Sequence, residues 1–346
     1  MTRACILGCA GQALTVEEIA LYRDAQPWGF ILFKRNIDTP DQTRALIEQM
    51  RETVGRADAP VLIDQEGGRV RRLRPPHWPD YPPAQAFSQA TNDPMTAREL
   101  ARLGGRLIAH DLKALGINVD CAPVLDVPQP GAHDIIGDRA FGQDVVSIAQ
   151  LGRAQAEGLM AGGVLPVIKH IPGHGRAMAD SHHDLPVVTA KLQQLEEVDF
   201  ATFRANSDMP AAMTAHIVYA AIDKAKPATQ SRKVMRVIRK DIGFGGLIMT
   251  DDLSMKALGG DFESRARDSI AAGCDVVLHC NGVMDEMKGV IAGAGELKGE
   301  GKRRAAAALG RIVRDPEPLD VDWARARFAE YFDGVVARAG PAVGEA

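Results

Sequence analysis

The feature that most constrains the fold is a repeated alternation of an apolar, strand-like run with an amphipathic helical segment. In the first complete example, residues 29–33 form an apolar run, and residues 41–54 carry helical spacing after a Thr39-Pro40 helix start. Eight strand-like runs are predicted, at residues 4–7, 29–33, 61–64, 119–122, 165–170, 211–214, 246–250 and 275–279. The predicted helices include residues 41–54, 97–115, 145–161, 192–206, 231–238, 262–272 and 283–294. Strands that alternate with helices form parallel sheets, and a doubly wound open sheet more often stops at about five or six strands, so the pattern predicts a (β/α)8 TIM-type barrel.

The same alternation predicts a single domain. Residues 1–295 hold all the predicted strands and are expected to form the barrel. Residues 296–346 are predicted to be a C-terminal helical extension packed on that barrel. The tail from Lys302 onward is rich in Ala and Arg and is too short for an independent domain.

The composition argues against several classes of partner. Lys and Arg number 41 against 45 Asp and Glu, a net charge of −4 that gives no electrostatic footprint for nucleic acid or an anionic membrane. The first ten residues lack the apolar core of a secretory signal, and no run approaches the ~20 apolar residues of a transmembrane helix. The five cysteines are scattered without CxxC spacing, which predicts free, mostly buried thiols and a cytoplasmic protein.

Polar side chains gather directly after the predicted strands. In a parallel barrel the active site lies at the carboxyl ends of the strands, so these residues are expected to converge there. A cluster of carboxylates, cations and imidazoles is costly to desolvate unless it serves a ligand. The residues in these positions are Lys34, Arg35, Asp64, Glu66, Asp120, Asp126, Lys169, His170, His216, Asp251, Asp252, His279 and Asn281.

The densest of these stretches runs from residue 167 to residue 183. Asp180 and His182 are two residues apart, close enough for the carboxylate to hold one imidazole nitrogen and leave the other as a proton donor. A metal site is the alternative, since four histidines fall within this stretch. The spacing of His170 and His174 resembles a helical ligand pair, but Pro172 and two glycines disfavour a helix there.

Two adjacent carboxylates end another predicted strand. Asp251 and Asp252 would point to opposite faces of a strand, so one can enter the barrel mouth while the other turns to the wall or caps a helix. We assign Asp251 to the site, where it could attack an anomeric carbon as a nucleophile, and expect Asp252 to support it.

Two further stretches offer polar groups. Asp64 can accept hydrogen bonds from vicinal hydroxyls, and an arginine beside Gly67-Gly68 can donate to sugar oxygens. A phosphate cradle competes with this interpretation, although no nucleotide-binding glycine motif supports it. Residues 136–142 would look like an ordinary turn in isolation, and a buried arginine, Arg139, beside Asp138 is the plainest structural role there.

Four motifs occur in order and together resemble the bacterial β-N-acetylglucosaminidases of glycoside hydrolase family 3, in particular single-domain enzymes of peptidoglycan recycling. The resemblance covers the barrel, from about Gly29 to His279. The motifs are residues 64–70 (DQEGGRV), 137–141 (GDRAF), 169–175 (KHIPGHG, followed by Asp180-Ser181-His182) and 250–255 (TDDLSM).

The resemblance implies a role for each matched position. The family's catalytic aspartate falls on Asp251, and its Asp–His acid/base pair falls on Asp180 and His182, although His183 leaves open which imidazole faces the substrate. The positions that match the residues gripping the N-acetylglucosamine ring are Asp64, Arg72, Arg139, Lys169 and His170.

These roles imply a double displacement that retains the β configuration. The implied substrate is a terminal β-linked N-acetylglucosamine, and the implied aglycone is a 1,6-anhydro-N-acetylmuramyl peptide. No cofactor and no metal are expected, and the protein is expected to be a monomer or a weak homo-oligomer.

Several alternatives stay open. One is a β-glucosidase, xylosidase or glycoside phosphorylase of the same family. Others are substrate-assisted catalysis, a non-catalytic sugar-binding barrel, and a metal-dependent hydrolase that uses His170, His174 and His182 with Asp251.

Overall fold

The computed structural model describes residues 1–177, 185–312 and 315–332. The strands are β1 (Arg3–Leu7), β2 (Pro27–Leu32), β3 (Val61–Ile63), β4 (Val119–Asp120), β5 (Leu165–Ile171), β6 (Val187–Val188), β7 (Ala211–Thr214), β8 (Val218–Tyr219), β9 (Leu247–Asp252) and β10 (Val276–His279). Eight of these strands are parallel and form a closed barrel in the spatial order β1-β10-β9-β7-β5-β4-β3-β2, as predicted. The two short strands β6 and β8 pair in parallel as a separate sheet, which the sequence did not predict.

The helices surround this barrel, and their ends follow local sequence signals. Thr39 caps one helix by accepting a hydrogen bond from the Gln42 amide, Pro40 is its first residue, and Gly55 ends it in a left-handed conformation. The helices are α1 (Val16–Ala25), α2 (Pro40–Val54), α3 (Ala84–Gln89), α4 (Pro94–Leu115), α5 (Val145–Ala161), α6 (Leu192–Gln194), α7 (Ala201–Ala205), α8 (Arg232–Arg236), α9 (Phe262–Ala272), α10 (Met284–Ala294), α11 (Gly299–Gly310) and α12 (Val321–Ala329).

Two predicted helices are not continuous α-helices. The predicted helix 192–206 consists of α6, a π-helical turn over Leu195–Asp199, and α7. The predicted helix 231–238 is α8 followed by a π-helical turn over Val237–Asp241. In a π turn each main-chain hydrogen bond spans five residues instead of four. The apolar spacing from which both helices were predicted is too coarse to detect this difference.

Alternation along the strands divides the core into two layers. One cluster contains Ile6, Ile31 and Met249, which alternate with their neighbours along the strands and fill the barrel interior. The other contains Leu7 and Ile248 and packs against the surrounding helices. The strands therefore bury both faces, which explains their nearly continuous apolar sequences.

The chain after α10 packs against the amino-terminal end of the barrel. The Ala4 amide donates to Gly295 O over 3.0 Å, and the Leu297 amide donates to Thr2 O over 2.9 Å. Ala305 and Ala308 of α11 join the interior cluster. The division into a barrel and an extension at residues 295/296 stays a prediction, and residues 333–346 of that extension lie outside the described residues.

The α12 helix packs on the side of the barrel. Its Phe328 is fully buried against Tyr81 and Phe87, with ring centroids 6.3 and 5.9 Å away. All five cysteines are free and buried, as predicted. Among the helices in the described ranges, none has both the length and the apolar character needed to cross a membrane.

Candidate active site

A cavity of about 370 Å³ opens at the carboxyl ends of the barrel strands. Six of the predicted site residues line it: Asp64, Arg72, Arg139, Lys169, His170 and Asp251. Asp64 and Arg72 follow β3, Arg139 follows β4, Lys169 and His170 belong to β5, and Asp251 belongs to β9. The parallel barrel brings them together because all its strands end on this face. Apolar side chains, among them Ile31, Met213 and Leu278, form the rest of the wall.

Asp64 lies between two cations at the end of β3. Lys169 Nζ is 3.0 Å from its Oδ1, and an Arg72 terminal nitrogen is 2.9 Å from its Oδ2. Burial acts to raise the pKa of Asp64, but the ammonium and the guanidinium hold it well below its ordinary value. Asp64 is therefore an ionised acceptor with both oxygens already oriented.

Glu66 forms the second half of the same charge network. Arg139 donates to its two oxygens in a bidentate fork, over 2.9 and 2.8 Å, and Lys169 Nζ is 2.6 Å from Oε1. Burial would raise the pKa of Glu66, but these two cations lower it to about 2. In return, the two carboxylates offset the burial of Lys169 and raise its pKa.

Arg139 is largely buried, as its structural interpretation expected, but it does not pair with its neighbour Asp138. Arg139 turns inward to Glu66, while Asp138 pairs with Arg69 at 3.0 Å on the outer side of the same loop. The reason is local geometry, since residues 137–139 form a single 3₁₀ turn in which consecutive side chains point in different directions.

Asp126 holds the two histidines of the β5 segment. Its carboxylate accepts from the His170 amide at 3.1 Å and the His174 amide at 2.7 Å, and His170 Nδ1 is 2.7 Å away. Burial acts to raise the pKa of Asp126, but the His170 imidazole and these donors hold it below the ordinary value. Burial and the neighbouring His170 ring lower the pKa of His174 to about 4.

Asp251 is the second-last residue of β9, which ends at Asp252. Its Oδ1 accepts the amide of Asp252 at 2.8 Å. Burial would raise the pKa of Asp251, but the imidazoles of His170 and His216 and this amide hold it below the ordinary value. Asp251 is therefore ionised at neutral pH, and its Oδ2 has no hydrogen-bond donor among the described residues.

Asp252 has a different environment, although it also borders the cavity. Its carboxylate accepts the Ser254 amide at 3.0 Å, the Ser254 hydroxyl, and the Cys280 amide at 3.1 Å. Both aspartates belong to β9, whereas the predicted strand stopped at Thr250. Through its hydrogen bonds with Ser254 and Cys280, the Asp252 carboxylate stabilises the carboxyl end of β9.

The predicted acid/base pair, Asp180 and His182, and the competing His183 lie outside the described residues. Within the ranges that the structure describes, no group of three or more His, Cys, Asp or Glu side chains has the arrangement of a metal site. His170 and His174 have ring centroids 5.5 Å apart and both contact Asp126. The described residues therefore supply no metal centre of their own.

Glu66, Asp126 and His216 belong to this site, but from the sequence they had no assigned role and were noted only as polar groups after strands. Glu66 could have been assigned, because it is two residues after Asp64 and therefore shares a face with it in an extended chain. The partners of Asp126 and His216 depend on contacts between strands distant in sequence, for which the sequence carries no local signal.

The chain is similar in sequence to known glycoside hydrolases, which is consistent with a sugar-binding cavity at this face of the barrel. Residues 13–314 match the model of the glycosyl hydrolase family 3 N terminal domain. A beta-hexosaminidase of Methylobacillus flagellatus is 39% identical over 281 residues, covering 80% of each chain.

Solved structures agree as well. NagZ from Neisseria gonorrhoeae is 32% identical, covers 98% of both chains and superposes with a TM-score of 0.83. A second structure of that enzyme, in complex with N-trifluoroacetyl-D-glucosamine, has the same identity and TM-score and covers 98% of this chain and 99% of that one. The chain therefore belongs to glycosyl hydrolase family 3, and it is a glycoside hydrolase.

Proposed function

We propose that the chain is a retaining exo-β-N-acetylglucosaminidase that releases a terminal β-linked N-acetylglucosamine, with Asp251 as its nucleophile. The state of Asp251 is the observation that carries this proposal. Among the cavity carboxylates of the described residues, it alone has neither an ion pair nor a hydroxyl donor on its oxygens. A nucleophile needs this combination of a lowered pKa and a free oxygen lone pair.

The nucleophile acts in two steps. An oxygen of Asp251 forms a bond to C1 of the sugar while the bond from C1 to the departing oxygen breaks, and that oxygen takes a proton from His182. Water then attacks C1, gives a proton to His182 and frees Asp251. Two displacements at C1 leave the β configuration unchanged.

The acid in this scheme is the His182 imidazole. The state of the other carboxylates in the cavity supports this assignment, because none of them is suited to donate a proton. Many retaining enzymes use a protonated carboxylic acid for this step. Asp64 and Glu66 cannot serve, because adjacent cations keep both ionised. Asp252 is engaged by Ser254 and Cys280. None of these carboxylates is therefore suited to be the acid, and the family resemblance assigns that role to His182 held by Asp180.

The charge network gives the sugar its binding site in this proposal. Asp64 and Glu66 would accept hydrogen bonds from ring hydroxyls, while Arg72, Arg139 and Lys169 would donate to sugar oxygens. His170, held through Nδ1 by Asp126, would present its other nitrogen to the ligand. Since the carboxylates and cations already pair with one another, a neutral polar ligand can join them without leaving a charge unpaired.

The sugar is chosen from the relatives. The matched protein from M. flagellatus is named a beta-hexosaminidase, and the gonococcal enzyme binds N-trifluoroacetyl-D-glucosamine in its solved complex. We extend this to GlcNAc-1,6-anhydro-N-acetylmuramyl peptides as substrates of cell-wall recycling in the cytoplasm. The proposed enzyme needs no cofactor or metal and acts as a monomer or a weak homo-oligomer.

Comparison of four initial rates tests the proposed activity. p-Nitrophenyl β-N-acetylglucosaminide and p-nitrophenyl β-glucoside are each assayed with and without phosphate. We expect much faster turnover of the N-acetyl substrate and no phosphate dependence. Preference for the glucoside would favour a β-glucosidase, and a requirement for phosphate would favour a phosphorylase. Loss of activity after EDTA treatment, with recovery on adding zinc, would favour a metal-dependent hydrolase.

A further inference from the structure

His216 is a buried imidazole beside the cavity that the proposed mechanism does not use. It follows β7 by two residues, and its side chain is fully enclosed. Its Nδ1 is 2.7 Å from the Thr229 hydroxyl, and its Nε2 is 3.0 Å from the main-chain oxygen of Asp252. Both ring nitrogens are therefore engaged, one toward a loop and the other toward the end of β9.

The partners determine which nitrogen carries the proton. A carbonyl oxygen can only accept, so Nε2 must be protonated to bond Asp252. Burial lowers the pKa of His216, against the pull of the Asp251 carboxylate, and favours the neutral ring. In that form Nδ1 accepts the Thr229 proton.

The threonines complete a directed chain of hydrogen bonds. The single proton of Thr229 has two acceptors within reach, His216 Nδ1 at 2.7 Å and Ala215 O at 3.2 Å, and the shorter contact favours the imidazole. The Thr229 oxygen then accepts from the Thr214 hydroxyl over 2.8 Å. Donation runs from Thr214 through Thr229 and His216 to the oxygen of Asp252.

Residue 252 is held from three directions as a result. His216 holds its carbonyl, while Ser254 and Cys280 hold its carboxylate. Its amide donates to Oδ1 of Asp251 at 2.8 Å, and this turns away Oδ2, the oxygen that no donor of the described residues contacts. A shift of the 252 main chain would therefore move the donor that orients Asp251.

We propose that His216 is a positioning residue, whose Nε2–H fixes the Asp252 carbonyl and thereby aims the free oxygen of Asp251 at the anomeric carbon. This inference rests on the proposed role of Asp251. Its expected signature is a slower attack by the nucleophile with unchanged binding of the sugar, because His216 contacts the strand and not the cavity.

Two variants at His216 separate the effect of its N–H donor from the effect of its side-chain volume. His216→Met keeps an apolar volume and removes the hydrogen bond, whereas His216→Gln keeps a side-chain N–H at a similar reach. We measure the rate of covalent trapping by a 5-fluoro β-N-acetylglucosaminide, the inhibition constant of free N-acetylglucosamine, and the melting temperature. A misplacement of about 1 Å can cost on the order of 100-fold in rate, so we expect His216→Met to slow trapping roughly 10- to 100-fold. His216→Gln should recover most of the loss, and the inhibition constant should change little in either variant.

Thr229 gives a second test if His216→Met does not fold. Thr229→Val removes the donor to Nδ1 and should slow trapping, whereas Thr229→Ser should not. Thr202→Val is the matched control, since Thr202 is also fully buried and donates to a main-chain oxygen, Leu125 O, over 2.7 Å. Trapping should stay at the wild-type rate in that control.

Three results would overturn the inference: wild-type trapping in His216→Met, no recovery in His216→Gln, or equal losses in Thr229→Val and Thr202→Val. Failure of the proposed function has a different signature. It would be seen in the wild-type protein, as the absence of a label on Asp251.

Discussion

Glu66 provides a quantitative test of the charge network, because its carboxylate is buried among cations. Its pKa falls from an ordinary 4.5 to about 2, and such a shift contributes about 3 kcal/mol to folding stability at neutral pH. Glu66→Gln keeps the size of the side chain but leaves Arg139 and Lys169 without this counter-ion. Breaking a buried pair from one side costs roughly 3–5 kcal/mol, so we expect a loss of that size at pH 7.

The pH dependence distinguishes a charge effect from a packing effect. A carboxyl whose pKa is lowered on folding stabilises the protein fully above its ordinary pKa, and that stability is lost as the pH falls toward the folded value. The difference between wild type and Glu66→Gln should therefore be constant from pH 7 to pH 5.5. It should shrink by about 1.4 kcal/mol at pH 3.5, since Glu66 stays ionised in the folded protein there but is mostly protonated once unfolded.

Urea unfolding at pH 7, 5.5 and 3.5 measures these differences. Glu300→Gln is the control, because Glu300 pairs with Arg303 at the surface and its removal should leave the midpoint nearly unchanged. A penalty for Glu66→Gln that does not vary with pH would refute the electrostatic reasoning. So would a penalty no larger than that of the control.

Two further changes test the segment between β5 and β6. Gly175→Ala should destabilise the protein and abolish activity, because a Cβ at this position would lie 1.9 Å from Val127 O. Gly245→Ala is the control, since its Cβ would meet no atom within 4 Å. Thermal melts and activity assays of both variants check this, and Gly245→Ala should be tolerated in both. His182→Ala should lose turnover of substrates with poor leaving groups and keep glycosylation by activated phenols; equal rates for wild type and variant on both substrates would instead direct attention to His183 or His174 as the acid.

Much of the barrel could be predicted from sequence because its strands bury both faces. Apolar runs such as residues 211–214 have no polar alternation, which is the pattern of parallel strands covered by helices. The carboxyl end of each run then indicated the side chains that converge, including Asp64 and Lys169. The local sequence pattern was sufficient to predict a site residue where the position of that residue depends on a single strand.

The partners of those side chains could not be predicted in the same way. The sequence predicted a buried Arg139 without indicating its partner, Glu66, which lies 73 residues earlier in the chain. The link from His216 to the carbonyl of Asp252 is equally remote in sequence and involves a main-chain atom, which has no residue-specific signature. Contacts of this kind follow from barrel closure and appear only in three dimensions.

Mass-spectrometric identification of the residue labelled by a 5-fluoro β-N-acetylglucosaminide tests the central claim most directly. A peptide that carries one sugar on Asp251, absent from an Asp251→Asn sample treated in parallel, is the predicted result. A label on Asp252 or Asp64, or active protein that forms no covalent adduct, would contradict the account.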